Sequence, residues 1–189
     1  MIKKEARILG LAAASGRLQQ ISVIGIVFRG NLWLDGIFTC QIWPKEHDCM
    51  AKLVSAIIQS RQYSQIHAVI LPREVLVSGV QLDISDFSHR INLPVISIAR
   101  RHLYRKRSTH RNLELKSKID SFSIRQAGGM VPVKVSGISR EETREIFAAA
   151  CVDNQQLPEA VRVAKMVATQ VPGRRTPTVT IRQYEGQGL

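Results

Sequence analysis

Twelve consecutive residues, Arg100-Arg101-His102-Leu103-Tyr104-Arg105-Lys106-Arg107-Ser108-Thr109-His110-Arg111, hold the densest set of side chains suited to binding chemistry. Guanidinium groups make bidentate contacts with phosphate oxygens, and Tyr104, His102 and His110 offer flat rings for stacking on bases or riboses. Lys116 and Lys118 continue the charge, and Arg174, Arg175 and Arg182 carry it towards the C-terminus. The bland reading is a solvated charged loop. Against it, so dense a run of one sign repels itself unless an anion meets it. Nucleic acid is the partner these residue types fit, and contact suits His102 and His110 better than catalysis.

Support for catalytic chemistry is thinner. Asp35, Glu74 and Asp83 are the acids that can compose a metal site, since hard cations need several oxygen ligands. Two of them have local explanations. Asp35 precedes Gly36 as a turn residue would, and Asp83 stands where a helix cap is expected, so both are read as structural. The five histidines show no i, i+4 pairing. Cys40, Cys49 and Cys151 are scattered without metal-ligand spacing, which argues for reduced thiols in a cytoplasmic protein and against a zinc site. No metal or other cofactor is expected.

Composition sharpens the binding reading. The 189 residues are 44% hydrophobic and 22% charged, ordinary for a globular chain, but the formal net charge is +12. Residues 100–125 alone carry 9 Lys/Arg against 2 Asp/Glu, a net of +7 and more than half the excess. Such clustering points to a polyanion, either nucleic acid or an acidic membrane surface. No apolar run approaches the ~20 residues of a membrane-spanning helix, and the first residues lack the apolar stretch of a signal peptide. Nucleic acid is expected rather than a membrane; nothing sets the oligomeric state.

The elements that must position these residues follow from periodicity. Ala6 to Leu11, Ser22 to Arg29 and Leu32 to Ile42 form a three-stranded antiparallel meander, the second strand β-branched and nearly all apolar as if buried on both faces. Asp48 to Ser60 has a helical period. A strand (Ala68 to Leu71), a helix (about Asp83 to Ile91) and a strand (Val95 to Ala99) come next, and such alternation implies parallel pairing through right-handed crossovers. The basic segment is expected to be a loop plus a helix near Asn112 to Ile119. Val131 to Val135 reads as an edge strand because of Pro132. Ser139-Arg140-Glu141-Glu142 fits a capping box opening a helix to about Cys151, and Leu157-Pro158-Glu159 opens the last helix. Residues 1–171 make one α/β domain, and 172–189 form an extended basic tail. The order is that of a ribonuclease H-like mixed sheet flanked by helices, with strand 1 central beside strand 4.

Several segments resemble a largely archaeal family of unknown function related to endonuclease V. They are Phe28-Arg29-Gly30-Asn31-Leu32-Trp33-Leu34-Asp35-Gly36, Leu93-Pro94-Val95-Ile96-Ser97-Ile98-Ala99-Arg100, and Val135-Ser136-Gly137-Ile138-Ser139 followed by Leu157-Pro158-Glu159-Ala160-Val161-Arg162-Val163-Ala164-Lys165. The resemblance implies an endonuclease V-like fold, and its departures fall on the chemistry. Where the family has two aspartates after strand 1 this chain has Ala12 and Ala13; near the end of strand 4 it has Pro72 and Arg73; after Ala164 it has Lys165. An ammonium at a ligand position repels Mg²⁺. Lys165 is then either a solvated helix lysine or a charge that replaces the metal. The expectation is a degenerate former active site (Ala12, Ala13, Arg73, Lys165) in a pseudoenzyme that binds nucleic acid, structured RNA or a ribonucleoprotein such as the ribosome. The alternatives are a divergent metal-dependent nuclease and a protein-interaction scaffold.

Overall fold

The computed structural model describes residues 4–15, 20–45, 48–72, 81–98, 119–153 and 155–170. Among them seven strands form one mixed sheet and four helices flank it. The meander comprises β1 (Arg7–Ser15), β2 (Ile21–Arg29) and β3 (Trp33–Ile42). Next come α1 (Cys49–Ile58), a 3-10 turn at Tyr63–Gln65, β4 (Ile66–Leu71), α2 (Ile84–Ile91) and β5 (Val95–Ile98). A hairpin of β6 (Asp120–Gln126) and β7 (Gly129–Ser136) leads into α3 (Arg140–Ala150) and α4 (Glu159–Gln170).

The strand order is β3-β2-β1-β4-β5-β7-β6. β1 is central and pairs parallel with β4, which pairs parallel with β5. This is the ribonuclease H-like arrangement expected from the order of elements, extended at one edge by the β6–β7 hairpin. Side chains alternate between the two faces of the sheet. Leu9 and Leu11 face Leu53 and Ile57 of α1 and Phe87 and Ile91 of α2. Ile8 lies in a core with Ile146 and Phe147 of α3, and Ala12 and Ala14 in one with Ala160, Ala164 and Ala168 of α4.

Local chemistry sets the helix starts. The Asp48 carboxylate accepts from the Ala51 amide at 3.0 Å, the Asp83 carboxylate accepts from the amides of Ser85 at 2.7 Å and Asp86 at 3.2 Å, and Ser139 with Glu142 forms the expected capping box. Arg90 also clasps Asp48 with two hydrogen bonds of 3.2 and 2.8 Å, tying α2 to the start of α1 and holding the Asp48 carboxyl below its usual range.

Four expectations need correction. β1 does not stop at Leu11 but runs through the alanines to Ser15, because Ala12, Ala13 and Ala14 pair with Ile24, Val23 and Ser22. Val131–Val135 is not an edge: β7 lies between β5 and β6, and the unforeseen β6 takes the edge. Pro132 is tolerated one residue beyond Val133, the last residue of β7 paired with β5. Ile119 lies outside any helix, and the rest of the helix expected near Asn112 falls outside the described residues. Asp35 is a β-bulge rather than a turn residue: Val27 pairs with Gly36 but Phe28 with Leu34, leaving Asp35 as the extra residue.

Candidate nucleic-acid interface

Three parallel strands, β1, β4 and β5, end at one edge of the sheet. The register pairs Gly10 with Ile70 and Leu71 with Ser97, which brings Ala12, Pro72 and Ile98 to about the same level. Two strand spacings, roughly 10 Å, separate β1 from β5 here. The chain leaves β5 at this edge into residues 99–118 and re-enters the sheet at Asp120, opposite Val135. Open α/β sheets bind ligands at the carboxyl ends of their parallel strands. The basic segment is therefore rooted beside the strand end where the resemblance places the missing acids.

Ala12 is buried at 3% exposure in the seam with Ala160 and Ala164, whereas Ala13 is half-buried on the opposite face, against the α1–α2 core. Lys165 is exposed on α4 and does not line this seam; its neighbour Ala164 does. Gly10 explains how close α4 comes: a Cβ there would meet the backbone of Ala160 and Val161 at 2.3–2.5 Å. Small residues on both elements let a helix lie directly on the central strand, and the seam between them is filled with methyl groups.

Asp35 and Asp83 each have structural partners. The Asp35 carboxylate is ion-paired with the Arg7 guanidinium, and its carbonyl accepts from Gln62 Nε2 at 3.0 Å. Arg7 opens β1, five residues before Ala12, so the pair lies about 17 Å along the strand from the seam. Asp83 is spent on the α2 cap, and Glu74 and Arg73 lie outside the described residues. Among the described residues no three His, Cys, Asp or Glu side chains gather as a metal-binding group. His67 and His89 are exposed and separate, while His47, His102 and His110 lie outside the description.

Of the predicted binding residues, Arg100, Arg101, His102, Tyr104, Arg105, Lys106, Arg107, His110, Arg111, Lys116, Lys118, Arg174 and Arg175 also lie outside the described residues. Two further arginines flank the point of re-entry and were not singled out by sequence. Arg140 binds Asp120 at 2.5 and 2.7 Å, keeping that carboxyl below its ordinary range, and stands 5.3 Å from the centre of the Phe122 ring; Arg144 stands 5.9 Å from it. Their i, i+4 spacing on α3 was the available signal. Trp43 is half-buried with the Lys52 ammonium 4.3 Å over its ring, and Trp33 is 62% exposed on the edge strand β3.

The family described as endonuclease dU matches this chain over residues 4–172. The chain belongs to that family. Endonuclease dU relatives include a UPF0215 protein of Methanothermobacter thermautotrophicus, 28% identical over 183 residues and covering 90% of this chain and 89% of its own length. A crystal structure of a protein of unknown function from Archaeoglobus fulgidus superposes with a TM-score of 0.67 at 22% identity, covering 86% of this chain and 96% of that one. Ciona intestinalis endonuclease V, solved with a 24mer DNA containing an inosine followed by a ribo-adenosine, superposes with a TM-score of 0.54 at 12% identity, covering 87% and 84%. The fold of this endonuclease dU family member is thus that of endonuclease V. No described helix is long and apolar enough to cross a membrane.

Proposed function

We propose that this chain is a non-catalytic nucleic-acid-binding protein, a degenerate relative of endonuclease V that grips structured RNA through residues 100–111. The reading of lost chemistry rests on Ala12, buried among the α4 alanines at the strand end where the resemblance to endonuclease V places an acid. The binding half rests on the net charge of +7 in residues 100–125 and on their departure from the carboxyl end of β5. The structurally similar Ciona endonuclease V was solved on DNA, which supports a nucleic-acid partner for this fold. A small, strongly basic chain suits a ribonucleoprotein component such as a ribosome-associated protein.

The family's description favours a second reading, an endonuclease. One experiment separates the two. Purified protein is incubated with Mg²⁺ or Mn²⁺ and with deoxyuridine- or inosine-containing DNA and with RNA, while binding to each is titrated. Binding without cleavage, together with co-sedimentation with ribosomes, is the expected result. Chelator-sensitive cleavage of any of these substrates would establish the enzyme instead.

A further inference from the structure

Arg7, Arg29 and Trp33 form a row across the first three strands. Arg7 of β1 is directly opposite Arg29 of β2, and Arg29 is directly opposite Trp33 of β3. Leu9 and Val27, two residues along from Arg7 and Arg29, belong to the core under α1, so the row lies on that face of the sheet. Like charges directly opposite one another on neighbouring strands repel. Among the described residues Asp35 is the one carboxylate in contact with either guanidinium, and Arg7 holds it. Two arginines against one aspartate leave one positive charge unmatched.

That charge is on Arg29. Its Nε is buried and donates to no acceptor, the one side-chain atom in this condition among the described residues. A polar donor taken out of water without a partner is costly. Beside it Trp33 is 62% exposed, with Leu32 and Leu34 exposed on either side. A solvent-facing indole next to an unmet guanidinium suits a nucleotide: the guanidinium fork takes phosphate oxygens, and the indole stacks on a base of any kind. One surplus charge matches an internal phosphodiester better than a terminal phosphate, which carries about 1.5 to 2 negative charges. Stacking on a side chain needs a base freed from its own helix. We infer that Arg29 and Trp33 bind one unpaired nucleotide of a single-stranded segment, its phosphodiester on the Arg29 guanidinium and its base on the Trp33 ring.

The site presupposes the nucleic-acid partner proposed above but lies apart from the basic run. Arg7 opens β1, about 17 Å along the strand from Ala12, and residues 99–118 depart from the opposite end of the sheet. Asp35 occupies Arg7, so Arg29 is the donor left for a ligand.

The test uses tryptophan fluorescence. Trp33 and Trp43 are the two tryptophans of the chain, so Trp43→Phe makes Trp33 the sole indole reporter. A short oligouridylate is titrated into the full-length variant, with a blunt RNA duplex as the comparison. The expected result is saturable quenching by the oligouridylate and none by the duplex. The quench at saturation persists when Arg105, Lys106 and Arg107 are replaced by alanine. In the otherwise wild-type chain, Arg29→Gln and Trp33→Ala each weaken oligouridylate binding about tenfold, read by anisotropy of a labelled strand. Without ligand, Arg29→Gln melts no lower than wild type, because a like charge opposite Arg7 is gone; an arginine serving the fold alone would lower the melting temperature. Oligouridylate bound with unchanged Trp33 fluorescence, and with equal affinity in both variants, would overturn this site and leave the nucleic-acid reading standing. Equal quenching by the duplex would overturn the unpaired nucleotide. Binding of neither RNA would overturn the site and that reading together.

Discussion

Gly10 lies directly beneath Ala160: a methyl group on Gly10 would stand 2.3 Å from the Ala160 carbonyl carbon. The obstacle is helix backbone, which cannot rotate away as a side chain would. Gly10→Ala must therefore lift the first turn of α4 from β1 and separate Ala12 from Ala164. We expect a loss of at least about 1–3 kcal/mol, the usual cost of overpacking. It should appear as a lower urea midpoint with an unchanged m-value. A midpoint equal to wild type would mean that α4 is not seated on the central strand.

Ala12 and Ala13 sit on opposite faces, and placing an acid at each separates their environments. Ala12→Asp places an unpaired carboxylate in the α4 seam and should cost about 3–5 kcal/mol at neutral pH, as an uncompensated buried charge does. Ala13→Asp, at a half-buried site, should cost about 1–2 kcal/mol. Burial favours the neutral acid, so the penalty of Ala12→Asp is fully present well above the ordinary carboxylate pKa and shrinks as pH falls and the new carboxyl protonates. Denaturation of both variants in chelating buffer measures this. Equal small losses would show that α4 does not close this edge.

How much of this was legible in the sequence depended on how local each signal was. The caps at Asp48, Asp83 and Ser139 were readable because partner amides lie two or three residues away. β2 was readable because every other residue on both faces is apolar. β1 was cut short because alanine carries little strand signal; its extension comes from pairing with β2 and from α4 overhead, which are tertiary causes. β6 alternates Phe122 and Ile124 with polar residues, yet the neighbouring basic run hid it, and without β6 the proline in β7 implied an edge. The Asp35 bulge is a register shift against β2, which no single-strand pattern contains. The three alanines were visible in the sequence itself. The sealing of Ala12 by a helix about 150 residues later in the chain was not.

The three cysteines should differ in reactivity. Burial pushes the Cys151 thiol up to about 12, with the Glu159 carboxylate adding to the shift, and burial also raises Cys40 despite the Lys52 charge. Thiolate is the reactive form, so both stay protonated and unreactive at pH 8. Cys49 opens α1 and is only half-buried. Alkylation of the folded protein with iodoacetamide, mapped by mass spectrometry, should modify Cys49 at least tenfold faster than Cys40 or Cys151. Prior modification of Cys151 would mean that the junction between α3 and α4 opens readily.

Binding, if it rests on the basic run, must be strongly salt-dependent. Each phosphate neutralised on duplex DNA releases close to one counterion, so six contacts would lower affinity roughly 10³-fold between 50 and 200 mM salt, with a shallower slope on single strands. Replacing Arg105, Lys106 and Arg107 by alanine removes up to three such contacts and should reduce the duplex slope by about two to three units. Exposed charges seldom stabilise a fold by more than ~1 kcal/mol each, so the variant's melting transition should stay near wild type and separate lost binding from lost structure. Glutamates at the same positions should weaken binding further by repelling phosphate. Affinity and slope measured on duplex DNA, structured RNA and ribosomes decide the matter: a triple-alanine variant unchanged on all three would make the run a solvated loop and leave the carboxyl edge of the sheet without its proposed partner.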